Sequence, residues 1–121
     1  MKLIRDRLIT WSFCYEPTEE FRPILALFKK WLPTYTCRCD VSETDKKDIY
    51  EQSLFVLVQD MDRMKEVLEA GAIPVCVGPT SEDVQVIVYE STAEKAIKRC
   101  MRLMKDPDML QRLQTSLLGV V

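Results

Sequence analysis

The chain has 121 residues, 47% hydrophobic and 30% charged, with 19 acidic and 17 basic side chains and a net charge of −2. That length fits one domain over residues 1–121 and buries enough surface for stability without metal or disulfide help. The scattered, balanced charge gives no basic footprint for nucleic acid or an anionic membrane, no apolar stretch approaches the roughly 20 residues that span a bilayer, and the charged opening at residues 1–7 does not read as a signal peptide.

In chain order, residues 8–15 are β-branched and aromatic and predict a first strand, broken by Glu16-Pro17-Thr18. Phe21, Ile24, Leu25, Phe28, Trp31 and Leu32 recur at helical spacing, with Pro23 suited to the first turn and Pro33 as a stop. Residues 35–40 predict a second strand, and 45–52 a short polar helix anchored by Ile49. The continuous apolar run 54–58 has the pattern of a parallel strand covered on both faces. Residues 62–69 predict a helix with Met64, Val67 and Leu68 inward and Gly71 as its left-handed C-terminal cap. Residues 73–77 form a fourth strand ended by Gly78-Pro79, and 84–88 a fifth. Ser91-Thr92-Ala93-Glu94 has the form of a capping box opening a helix that carries Ala96, Ile97, Cys100, Met101 and Met104. Asp106-Pro107 starts a final helix through Leu118. The first seven residues are expected as a loose arm or an extra turn. The alternation predicts an α/β fold: a three-layer, doubly wound, five-stranded parallel sheet of flavodoxin or Rossmann-like type, in the order 2-1-3-4-5.

In such sheets ligands bind beyond the carboxyl ends of the strands, at the switch point beside the first strand. That rule nominates Cys14, Tyr15 and Glu16 after strand one, Gln59, Asp60 and Asp62 after strand three, and Gly78, Pro79 and Thr80 after strand four. Asp60, Asp62 and Glu66 present oxygen ligands of the kind Mg²⁺ takes, but capping a helix accounts for the two aspartates more simply, and Glu66 and Glu69 read as a solvated face with Arg63 and Lys65; no metal is expected. The 78–81 turn lacks the glycines and lysine of a phosphate-binding loop, and three glycines are too few for a dinucleotide fingerprint. With no histidine in the chain, Ser-His and Cys-His nucleophile pairs and His-ligated zinc are excluded. The five cysteines Cys14, Cys37, Cys39, Cys76 and Cys100 show no metal-type spacing; four of them sit in apolar runs, where free Cys behaves as a small hydrophobe, and the simplest setting is a reducing one, cytoplasmic or nuclear, with cytoplasmic expected. No catalytic constellation and no cofactor is expected.

The stretch 50–58, followed by Lys65-Glu-Val-Leu-Glu-Ala-Gly-Ala-Ile-Pro-Val-Cys-Val-Gly-Pro79, resembles the nucleotide-sugar-binding half of GT-B glycosyltransferases of the fucosyltransferase and exostosin-like kind, as does the Asp106-Pro107 break between the last two helices. The resemblance covers about residues 50–113. It implies a half-domain that binds a nucleotide sugar, with Glu69 on the helix that faces the donor, and that needs a partner domain or a second copy to turn over. It places the chemistry at one rim, where Gln59, Glu69 and Gly78 converge. The chain departs from the family at Met61 and Asp62, where an acid and a base of the donor loop would stand. An alternative comes from another class: Asp40, then Ile49-Tyr-Glu-Gln-Ser-Leu-Phe-Val-Leu-Val, is similar to the TIR pattern of acidic loop, helix and strand, and implies a non-enzymatic protein interaction module on a TIR- or receiver-like frame.

Overall fold

A computed structural model describes residues 2–78 and 88–118. Five parallel strands form one sheet in the order β2-β1-β3-β4-β5: β1 (Ile9–Phe13), β2 (Tyr35–Cys37), β3 (Ser53–Val58), β4 (Ile73–Val77) and β5 (Val88–Glu90). Between them run α1 (Arg22–Trp31), α2 (Glu43–Glu51) and α3 (Met64–Glu69), with α4 (Ala93–Met104) and α5 (Pro107–Leu118) after β5. This is the predicted α/β architecture and strand order. Strands β1 and β2 are shorter than the predicted 8–15 and 35–40. Residues 84–87 of the predicted fifth strand lie outside the described residues.

Side chains alternate across the sheet because successive strand residues point to opposite faces. Trp11, Phe13, Phe55, Leu57, Ile73 and Val75 face α1 and α4, where they meet Leu25, Phe28, Ala96, Ile97 and Cys100. Cys14, Val56, Val58 and Cys76 face α2 and α3 and meet Tyr50 and Val67. Three polar groups in these cores are satisfied: the Trp11 indole donates to the Leu32 carbonyl at 2.7 Å, and the Ser53 hydroxyl donates to the Ser12 hydroxyl at 2.8 Å. Tyr50, one turn after the buried Lys46 and so on the same face, anchors α2 rather than the half-buried Ile49, and the helix begins at Glu43, two residues earlier than predicted.

The helix ends are set locally. Pro23 sits in the first turn of α1, and Gly71 ends α3 at φ 73°, its N–H donating to the Leu68 carbonyl. At α4 the cap is Thr92, whose hydroxyl accepts from the Lys95 N–H. The Ser91–Glu94 box is therefore displaced by one residue. Asp106 caps α5 by accepting from the Met109 N–H.

Of the two expectations for the opening segment, residues 2–7 form the extra turn and not the loose arm. A 3₁₀ turn at Ile4–Asp6 buries Ile4 completely, and the Ile4 N–H donates to Gln114 Oε1 of α5. Arg7, 5% exposed, donates to the carbonyls of Lys2, Tyr50, Ser53 and Ala70. Tyr50 lies in the last turn of α2 and Ala70 is the C-cap of α3, so one guanidinium caps the negative ends of two helices. Burial pulls its pKa down to about 10, against the raising charge of Glu51, and it stays protonated at neutral pH.

Candidate functional site at the switch point

The pairing of Ser12 with Val56 and of Val58 with Cys76 puts Tyr15 level with Gln59, and Gly78 one residue further on, past the carboxyl ends of β1, β3 and β4. A cavity of about 230 Å³ opens there, lined among others by Phe13, Tyr15, Glu16, Gln59, Asp60 and Arg63. Of the residues nominated from sequence, Tyr15, Glu16, Gln59 and Asp60 therefore share one pocket. Gly78 ends β4 at φ 142°, its N–H donating to the Glu90 carbonyl, and it does not line the cavity. Pro79 and Thr80 lie outside the described residues.

Glu69 does not join this rim. It is the last residue of α3, which starts at the carboxyl end of β3 and runs back to the amino end of β4, so the crossover carries Glu69 to the opposite edge. There it stands exposed, 3.9 Å from Lys65, in a separate groove between α2 and α3 with Glu43 and Lys47. The expected convergence of Gln59, Glu69 and Gly78 fails for that geometric reason.

Each rim side chain is committed to the fold. The Gln59 amide donates to the Glu16 carbonyl at 2.9 Å and accepts from the Thr18 N–H at 3.0 Å, pinning the loop into α1. Asp60 accepts from the Asp62 N–H at 3.0 Å and its carbonyl takes the Arg63 N–H, so it caps the short turn before α3. Glu16 pairs with Arg22 at 3.3 Å on the surface.

Beside the cavity lies a cluster only partly visible in the sequence. The Tyr15 hydroxyl donates to Glu66 Oε2 at 2.5 Å. The Lys46 ammonium, its side chain 6% exposed, donates to the Tyr15 hydroxyl at 2.6 Å and reaches Glu43 at 2.9 Å and Glu66 at 3.3 Å. The Arg63 guanidinium sits 4.7 Å over the Tyr15 ring. Burial lowers the Lys46 pKa, but its hydrogen bonds to Tyr15 and Glu43 and the charge of Glu66 outweigh that and raise it. Burial, then the bond to Glu66, raises the Tyr15 phenol, with Lys46 opposing. At neutral pH the ammonium stays charged and the phenol stays neutral.

Glu66 is thus turned inward, away from the solvated face predicted for it. Sequence reasoning missed Lys46 for a plain reason: in a polar helix it looks like its exposed neighbour Lys47. The available signal was the four-residue spacing of Lys46 and Tyr50, which puts both on the face of α2 toward the sheet.

Chemically the cluster is an internal lock joining α2, α3 and the end of β1. Its base is held by a lysine and a tyrosine, and its phenol is a weaker acid than free tyrosine. The buried thiols are pushed up by burial as well, Cys14 and Cys76 to about 11 and Cys100 to about 12, so they stay protonated at neutral pH and are poor nucleophiles. Among the described residues no group of three or more His, Cys, Asp or Glu side chains is placed to hold a metal ion, and no helix is long and apolar enough to cross a membrane. Compared with known proteins, the chain matches no family model, no curated sequence and no solved structure.

Proposed function

We propose that this domain is a non-enzymatic protein interaction module on a flavodoxin-like frame. One observation carries the reading: among the described residues, the cations near the carboxyl-end rim are already paired. Lys46 is held by Glu43 and Glu66, Arg63 lies 3.9 Å from Glu66 and stacks on Tyr15, and Arg22 and Arg38 pair with Glu16 and Asp40. A diphosphate entering the cavity would meet Glu16 and Asp60, and among the described lining residues the one cation, Arg63, is already offset by Glu66. The cavity is also smaller than the roughly 300–1,000 Å³ of small-molecule sites.

The nucleotide-sugar reading rests on the string from Leu68 to Pro79 and makes the opposite prediction, so one titration separates the two. Amide shifts of the labelled chain are followed as nucleoside diphosphates and nucleotide sugars are added to millimolar concentration, with and without Mg²⁺. The interaction reading expects no saturable shift at Tyr15, Gln59 or Gly78, together with concentration-dependent association of the chain in sedimentation or capture of a protein ligand. Saturable shifts centred on those three residues would overturn it in favour of a sugar-nucleotide half-domain.

A further inference from the structure

The two helical layers carry opposite charge. The α1 and α4 segments together hold seven basic side chains and one acidic, Glu94, whereas α2 with the 61–69 segment holds seven acidic and four basic. The small net charge of −2 hides this separation, because the sheet divides it. On the basic layer, Trp31 is 52% exposed and shares a groove of about 280 Å³ with Ile97, Met101, Lys98 and Glu94. Lys30 sits 5.4 Å over the Trp31 ring, and Lys95 and Arg102, both exposed, lie one turn to either side of Lys98 on α4. Trp, Met and Arg are the residue types enriched at protein interfaces, and a half-exposed Trp beside a cleft is the usual form of a binding hot spot.

Resting on the interaction-module reading, we infer that the α1/α4 face docks an acidic amphipathic segment of a partner protein, with one apolar side chain in the Trp31–Ile97–Met101 groove and carboxylates against Lys30, Lys95, Lys98 and Arg102. Charge complementarity selects this occupant: a basic or neutral segment gains the groove but meets uncompensated ammonium groups. Glu94, the only carboxylate on the two helices, lines the groove and repels the partner's acids locally. Of the α4 cations, Arg102, about two turns from Glu94, therefore takes a carboxylate more readily than the adjacent Lys95, which gives the docked segment a direction.

The test uses the full chain and a fluorescein-labelled helical peptide of Glu and Leu, its leucines spaced to form one face. Controls are the same peptide with Lys for Glu and with Ser for Leu. Fluorescence anisotropy should show saturable binding of the acidic peptide that weakens with added salt, and amide shifts should centre on Trp31, Ile97 and Met101. Lys30→Glu with Lys98→Glu should weaken binding by roughly tenfold or more, as should Trp31→Ser, while Glu94→Gln should strengthen it modestly. All four residues are exposed, and thermal melts of the variants verify that the fold is kept.

Equal binding of the lysine peptide, shifts centred elsewhere, or no binding at millimolar peptide would overturn the proposal. So would loss of binding to phosphatidylserine vesicles in Lys98→Glu when the peptide does not bind, which assigns the face to a lipid surface. Self-association abolished by Trp31→Ser assigns it to a second copy and overturns the partner named here while leaving the interaction reading intact. Only nucleotide-sugar shifts at the rim overturn both.

Discussion

Arg7 supplies the sharpest test of how this chain is held together. Replacing it with Met keeps an unbranched apolar stem but removes the guanidinium that binds four carbonyls, those of Tyr50, Ser53 and Ala70 through buried bonds of 3.1, 3.1 and 2.8 Å. Each buried acceptor left without its donor costs about 1–3 kcal/mol. Against this, the native fold carries the cost of burying a charge with no carboxylate within hydrogen-bonding reach, itself several kcal/mol, which the substitution relieves. The difference is a net loss of about 2–4 kcal/mol. For 121 residues the unfolding entropy is on the order of 250 cal/mol/K, so each kcal/mol moves Tm by about 4 °C, and Arg7→Met should lower it by about 8–16 °C. Urea unfolding followed by circular dichroism would show a lower midpoint at unchanged slope, the sign of lost stability without a change in compactness. A Tm within about 2 °C of the parent would refute the reasoning, since the carbonyls would then be satisfied without the guanidinium.

Lys46→Met removes the centre of the Tyr15–Glu66 lock; because Glu66 is a third exposed and Glu43 is on the surface, the loss should be only about 1–2 kcal/mol. The same change should raise the Tyr15 phenol further, since Lys46 is what opposes its upward shift, and ultraviolet titration of tyrosine ionisation would register a shift in the other direction as a failure. Gly71→Ala places a Cβ at φ 73° and should destabilise by about 1 kcal/mol in denaturant titrations, whereas an unchanged midpoint would argue that the α3 cap relaxes freely. Stability should also fall on the alkaline side. Burial keeps Cys14, Cys76 and Cys100 protonated in the fold to about 11, 11 and 12, whereas the unfolded thiols ionise from 9.0. The unfolded state therefore binds fewer protons above pH about 9, and unfolding free energy should drop from there to about pH 11. A Cys76→Ala variant should show a shallower drop, and an identical slope would count against the thiols as its source.

The amino-acid sequence by itself determined the class of the fold and the strand order. A doubly covered strand announces itself through an unbroken apolar run such as Leu54–Val58, and a helix end through Gly71 or Asp106-Pro107, because these signals are local and steric. The rim was partly legible too: Tyr15, Glu16, Gln59 and Asp60 do meet at the end of β1 and β3, since parallel pairing fixes their level once the strands are placed.

Only the tertiary structure decided what each charge does. Arg7 and Lys46 look like any surface cation in the chain, yet both are buried, because each also has partners far along the chain, from Glu66, 20 positions from Lys46, to the Ala70 carbonyl, 63 from Arg7. Glu69 reads as a neighbour of Gln59 and is not, because a crossover helix reverses direction between them. The division into a basic and an acidic layer is likewise invisible along the chain. Coulomb energy depends on distance through space, and the sheet that separates the two layers exists only once the strands have paired.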